Sequence, residues 1–264
     1  MNLPLLLLSL CLAAVIAASA YFLRSLTLSG GIAAFFIIAV SLYFGSYGCF
    51  TVLVASFFVI AMAGKLVKKR SAAVTAGINE KEGARDAVQV LVNGAPAAVS
   101  AILLFITKET GFAFAFFVAI GEALSDSLAS DVGVLSKSEP RDILTLRKVP
   151  RGTSGGVSPL GTLSALAGAF FVAAVSVFFY GFSPVTLPLI VLFTMVGVFL
   201  DSLIGARLQC RRQCKVCGKQ TEKTVHCGEV TDIIGGIRYL NNDAVNLISN
   251  LAATVIAAVV FILI

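Results

Sequence analysis

Long apolar runs separated by short polar ones dominate the chain, at 3–23, 29–45, 46–64, 87–106, 111–135, 155–180, 184–206 and 244–264. A helix that crosses a bilayer needs about 20 predominantly apolar residues, so these runs predict about eight spanning helices. The run at 29–45 is short, and with 46–64 it could instead form a re-entrant pair hinged at Gly45–Gly48. Strand-length alternation is absent. Only helices satisfy every backbone group within hydrocarbon by themselves, so a β-barrel is excluded. The expected fold is all-α, a polytopic integral membrane helix bundle in a single domain spanning 1–264. The first run has the length of a spanning helix and no basic residue ahead of it. It therefore reads as a retained helix rather than a signal peptide.

Composition agrees with this picture. Hydrophobic residues make up 58% of the 264 and charged residues only 13%, about half the share in a soluble domain. The mean hydropathy is +0.96. The net charge of +6 invites a nucleic-acid reading, but the position of the basic residues argues otherwise. With eight crossings, the segments after spans one, three, five and seven share one side of the membrane. Of the 20 lysines and arginines, only Lys108 falls on the other side. By the positive-inside rule, the loops at about 65–86, 136–154 and 207–243 are cytoplasmic and both termini lie outside. The charge thus reports topology in a multi-pass protein of the cell membrane, and no nucleic-acid partner is expected.

Some polar residues lie where lipid would not tolerate them idly. Glu122, Asp126 and Asp131 sit in the apolar run at 111–135. An intramembrane carboxylate costs about 2.5–3.5 kcal/mol even on the lenient insertion scale. Glu122 and Asp126 are four apart and share a helix face, while Asp131 stands about 140° round from Asp126. Carboxylates so placed point to a cation site that holds Mg²⁺ and phosphates. The bland alternative, a helix end meeting water, suits Asp131 alone. Asp201, near the end of span seven, is a further acidic candidate, and Arg207 after it could pair with Asp201 or bind phosphate.

The segment from Lys148 to Ser158 is glycine-rich. Gly152, Gly155 and Gly156 let backbone N–H groups approach a ligand closely, Thr153, Ser154 and Ser158 add hydroxyls, and Lys148 and Arg151 add charge. With a helix starting just beyond, the segment reads as a phosphate cradle. The alternative is a loop entering a helix of small packing residues. No Gly-Lys-Ser/Thr follows, so this is not a Walker A loop. Arg85, Gln89 and Asn93 form an i, i+4, i+8 stripe, and Asn242, Asp243 and Asn246 form another polar face. An N-cap would account for Asn241 or Asn242 but not for Asn246. All these clusters lie at the cytoplasmic ends of spans four to eight.

Cys214, Cys217, His226 and Cys227 form a compact set of soft ligands within 210–227. Their spacing suits a small structural Zn²⁺ loop, with Cys210 as a competing ligand and free thiols as the alternative. His226 is the only histidine, so a zinc role would leave no histidine base.

The segments 83–94 (GARDAVQVLVNG), 125–133 (SDSLASDVG), 152–158 (GTSGGVS), 201–206 (DSLIGA) and 242–246 (NDAVN) together resemble a membrane-protein family long without assigned function. It includes the phytyl-phosphate kinases of plants and cyanobacteria and the animal transmembrane protein nineteen. The resemblance runs over nearly the whole chain. Relatives usually carry Glu where this chain has Asp131, and animal relatives lack the cysteine cluster. The resemblance implies Mg²⁺-dependent transfer of a phosphoryl group from a nucleoside triphosphate, CTP or else ATP, to an isoprenoid monophosphate such as phytyl or polyprenyl phosphate. On that reading Asp126 and Asp131 hold Mg²⁺, with Glu122 and Asp201 as further catalytic candidates. The loop from Lys148 to Ser158 takes the nucleotide phosphates. Arg85, Gln89, Asn93, Arg207, Asn242, Asp243 and Asn246 orient the substrate, whose tail lies among membrane lipids and helices. A cytidylyltransferase forming a CDP-lipid, or a lipid or ion transporter, are the alternatives.

Overall fold

The computed structural model describes residues 2–75 and 83–263, and for 68–75 the backbone alone. Among the described residues eight helices are long and apolar enough to cross a membrane. They are α1 Leu3–Phe22, α2 Leu28–Val40, α3 Tyr47–Thr75, α4 Ala87–Thr107, α5 Thr110–Gly133, α6 Pro159–Val175, α7 Leu187–Leu208 and α8 Asn242–Leu263. π-helical turns, Ser41–Gly45 and Ser176–Tyr180, prolong α2 and α6. Small antiparallel ladders lie outside the helices. Strand β1 (Arg141–Asp142) pairs with β2 (Gly156–Val157). Strand β3 (Arg211–Gln213) lies between β4 (Gln220–Thr221) and β7 (Asp232–Gly235), and β5 (Val225–His226) pairs with β6 (Glu229–Val230).

Helix starts follow local chemistry. Asp86 and Gln89 form a reciprocal capping box on α4. Ser158 caps α6, with Pro159 at its first position, so this helix begins four residues later than the apolar run suggests. Asn241 Oδ1 accepts from the Ala244 N–H and caps α8. Helix α3 runs past the last apolar residues to Thr75, which shortens the basic loop expected at 65–86. Lys81 of that loop lies outside the described residues.

Helices α2 and α3 each run the length of the bundle and are not re-entrant. A Cβ on Gly30, near the start of α2, would strike the Arg85 carbonyl. At the other end, Tyr43 and Phe44 lie against Phe105 of α4. Gly48 of α3 then abuts Phe179 and Tyr180, while Gly64 sits beside Asp131 back at the first end.

Helix α5 is the axis of the molecule. In its spanning window 72% of residues are buried, against 50% at most for any other helix, and it packs on α3, α4, α6, α7 and α8. Small residues make this possible. A Cβ on Gly161 of α6 would lie 2.9 Å from the Ala129 carbonyl oxygen, and one on Gly133 would lie 3.3 Å from Gly161 Cα. Helices in lipid associate through this kind of close backbone approach. Gly161→Val is therefore expected to destabilise the bundle by about 1–3 kcal/mol. Thermal unfolding in detergent measures it, and an unchanged Tm would show that the two backbones do not need this contact.

Candidate functional site

The acidic residues on α5 lie close enough to repel one another in turn, Glu122 with Asp126 and Asp126 with Asp131. Glu122, 1% exposed, faces α7 and α8, and Gly197 leaves room for its stem. The Ser249 hydroxyl lies 2.9 Å from Glu122 Oε1, 3.2 Å from Asp201 Oδ2 and 3.1 Å from the Asn246 carbonyl. The Asn246 amide, correctly oriented, donates to Asp201 Oδ2 at 3.1 Å and to the Asn242 carbonyl at 2.9 Å. The Asn250 amide donates to the Ala119 carbonyl at 3.0 Å. One serine proton serves three acceptors, so this knot of carboxylates is short of donors.

Asp126 and Asp131 are half-buried, and Asp126 also faces Asp201 and Glu122 of the knot. Neither accepts a hydrogen bond among the described residues. The charge that faces both is Arg85, whose guanidinium also reaches Ser127 Oγ at 3.3 Å. Burial pulls Arg85 below its ordinary value, and Asp131 and Asp126 oppose that shift. Arg85 is held by its backbone. Its N–H donates to the Ser25 carbonyl at 3.0 Å, and its carbonyl accepts from Thr27 N–H at 3.0 Å. Gln89 and Asn93 follow on the same stripe, each with a local job. Gln89 Oε1 accepts from the Asp86 N–H, and Asn93 donates to the Gln89 carbonyl.

Arg85, Gln89 and Asn93 line the polar end of a groove between α1, α2, α3, α4 and α5. Elsewhere the groove is apolar, with Ile16, Leu26, Ile38, Phe57 and Leu124 among its walls. Ser56, also on its wall, has a buried hydroxyl without a partner.

The glycine-rich loop roofs the same end of the bundle. The β1–β2 ladder and a Lys148–Glu139 ion pair at 3.0 Å fix its base. Gly152 and Gly155 take positive φ, +81° and +77°. A Cβ on Gly155 would collide with Ala206 of α7. The loop is thus seated on α7. Ser154 Oγ donates to Gln209 Oε1 at 2.5 Å, and Gln209 Nε2 donates to Glu222 Oε1 at 2.7 Å. Ser158 is engaged as the α6 cap and with the Gly133 carbonyl. Gly156 keeps the turn tight against Thr153, and Arg151 is half-buried. Arg207 is exposed and makes no ion pair with Asp201 among the described residues. Six residues apart, the two stand about 120° from each other round α7.

The structure therefore brings together Glu122, Asp201, Asn246 and Asn242, with Asp126 between that group and Asp131 with Arg85. Arg207 and the exposed Asn242 side chain stand at the rim. Sequence reasoning missed Ser249, Asn250 and Gln209, all buried polar groups. The first two continue the Asn242–Asn246 stripe at helical spacing, a signal that was readable. Gln209 carries none.

As to metals, no three carboxylates among the described residues are close enough to cage an ion, whereas the thiol cluster is. Mg²⁺ commonly binds through one or two carboxylates plus substrate phosphates. Asp126 and Asp131, without hydrogen-bond partners, fit that pattern. In the cluster, Cys214, Cys217, His226 and Cys227 offer ligand atoms all within 4.8 Å of one another. The Cys217 N–H, ahead of smaller causes, draws the Cys214 thiol down to about 6.

A family profile described as "Integral membrane protein DUF92" matches residues 11–254. Protein PGR of Arabidopsis thaliana is 28% identical over 94% of this chain and 93% of its own length. Protein VTE6, chloroplastic, of the same plant is 28% identical over 87% of this chain, and the match spans 63% of that relative. Uncharacterized membrane protein MJ0933 of Methanocaldococcus jannaschii is 29% identical over 74% of this chain and 76% of its own length. No solved structure matches significantly.

Proposed function

Since this chain belongs to the DUF92 integral membrane family, we propose that it is a membrane-embedded kinase for a lipid monophosphate. It would use Mg²⁺ and a nucleoside triphosphate, CTP or ATP, to convert an isoprenoid monophosphate such as phytyl or polyprenyl phosphate to the diphosphate. One observation carries the reading. Arg85, faced by Asp131 and Asp126, lies with Gln89 and Asn93 at the polar end of a groove whose other walls are almost wholly apolar. A lipid phosphate has that same polarity, an anionic head on an apolar chain. The sequence resemblance to a family containing phytyl-phosphate kinases supports the same chemistry.

The roles follow from placement. The groove takes the tail, and Arg85 neutralises and orients the acceptor phosphate. The glycine-rich loop, with Arg151 and Lys148, takes the nucleotide phosphates. Asp126 and Asp131 would hold Mg²⁺, which when bound supplies charge neutralisation for the transferring phosphoryl group. An acceptor oxygen bonds to the γ-phosphorus while the bond to the β–γ bridging oxygen breaks, releasing the nucleoside diphosphate. An ionised acceptor phosphate needs no general base. Glu122, Asp201, Ser249 and Asn246 brace the helices that carry the site. By the positive-inside rule, the site faces the cytoplasm in the cell membrane.

Product analysis tests the reading. Protein purified in detergent is mixed with Mg²⁺, radiolabelled CTP or ATP and a panel of prenyl monophosphates. The expected products are lipid diphosphate and nucleoside diphosphate. A nucleotide-linked lipid with pyrophosphate would make the protein a cytidylyltransferase. Folded protein without turnover on any acceptor would direct attention to transport, although the polar residues gather at one end rather than midplane.

A further inference from the structure

The segment between α7 and α8 holds a ligand set that the proposed chemistry leaves unused. We infer that Cys214 Sγ, Cys217 Sγ, His226 Nδ1 and Cys227 Sγ bind one structural Zn²⁺, and that this ion sets the fold of a ribbon anchored to the glycine-rich loop.

The geometry is that of a tetrahedral site. With Zn–S of about 2.3 Å and Zn–N of about 2.0–2.1 Å, ligand atoms around one ion lie roughly 3.5–3.8 Å apart. Here His226 Nδ1 lies 3.2 Å from Cys227 Sγ and 3.6 Å from Cys217 Sγ, and all four ligand atoms fall within 4.8 Å of one another. Because Nδ1 is the nitrogen turned towards the sulfurs, it is the ligating one. Cys210 is buried outside the group, its N–H donating to the Leu240 carbonyl at 2.8 Å. That removes it as a competing ligand.

The backbone supplies an independent sign. Two turns present the ligands. In the first, Gly218 at φ +71° closes the Cys214–Cys217 turn, its N–H donating to the Cys214 carbonyl at 3.0 Å. The second joins β5 to β6 through Cys227 at φ +52° and Gly228 at φ +81°. Hairpin turns of this kind prefer Asn, Asp or Gly at the first position. A cysteine held in the left-handed region there is costly unless its side chain has work to do. The turn is what allows neighbouring residues, His226 and Cys227, to aim at one point.

The ribbon has little else to hold it. The strands are two to four residues long, and Val225, Val230, Ile233 and Ile234 are exposed. A unit this small usually needs a metal or a disulfide. Besides backbone bonds such as Ile237 N–H to the Leu208 carbonyl, one attachment to the bundle runs through Glu222, between β4 and β5, to Gln209 and on to Ser154. An ordered ribbon therefore holds the glycine-rich loop against α7.

The test is metal analysis of the full chain, purified in detergent without chelator or added metal. About one zinc per chain is expected, retained in Cys210→Ser and lost in Cys217→Ser and in His226→Ala. Should those variants fail to fold, the wild-type protein stripped with a membrane-permeant chelator provides the second measurement. Its Tm falls and recovers on addition of Zn²⁺. Folded protein in which Cys214, Cys217 and Cys227 are all alkylatable and no metal is bound would overturn the assignment. So would a disulfide within the cluster, or iron in place of zinc. None of these readouts depends on the kinase reading.

Discussion

Asp126→Asn is expected to lower phosphoryl transfer by about 10²–10³-fold, the scale seen when one preorganised electrostatic partner is removed. The substitution keeps shape and removes charge. Asp126 has no hydrogen-bond partner among the described residues, so the fold does not rest on it. Its loss leaves Arg85 facing only one carboxylate, Asp131, at the polar end of the groove. The two effects separate cleanly: kcat falls while Tm holds. Turnover at the wild-type rate would remove Asp126 from the metal site and leave the acidic end of α5 a structural feature.

The second large effect is expected at Gly155. Alanine there meets a positive φ of +77° and the side chain and backbone of Ala206. The left-handed conformation alone costs about 1–2 kcal/mol, a factor of roughly 5–30 in the seated population of the loop. Lifting the loop also breaks the Ser154–Gln209 hydrogen bond. Gly155→Ala is therefore expected to raise KM for the nucleotide by about tenfold or more, with a smaller change in kcat at saturation. Steady-state kinetics with the nucleotide as varied substrate decide it. An unchanged KM would reduce this loop to a packing element between α6 and α7.

The helices were legible because lipid imposes a simple rule of length and polarity, and the count of crossings follows from it. Their ends were less so. Ser158 and Pro159 mark the start of α6 by capping, a local signal overridden in the apolar pattern by Gly155 to Val157. Basic residues after Gly64 read as loop, yet helix formers continue α3 to Thr75. In the site, the carboxylates stood out because burying charge in hydrocarbon is expensive. What spacing could not show is how they divide. Glu122 and Asp126 share a face of α5, but Glu122 joins Asp201 through Ser249, while Asp126 stands between that pair and Asp131 with Arg85. That division depends on which neighbouring helix each side chain meets. Gln209 was invisible for the same reason, since its role comes from Ser154 in a distant loop. The cysteine cluster was legible because ligand spacing is local.

The central position of α5 also bears on how the chain is made. Of the eight spans it is the least hydropathic, at 1.5, and it carries three acidic residues. Its neighbours α3 and α4 are synthesised before it, but α6, α7 and α8 come after. Glu122 waits for Ser249, 127 residues further along the chain. A nascent chain that ends after α5 would present these carboxylates to lipid or to the insertion machinery with Arg85 as their cationic neighbour. Biogenesis of this protein thus completes the surroundings of its middle helix only at the end: α3 and α4 are there to receive it, but its contacts with α6, α7 and α8 form only once those later helices exist.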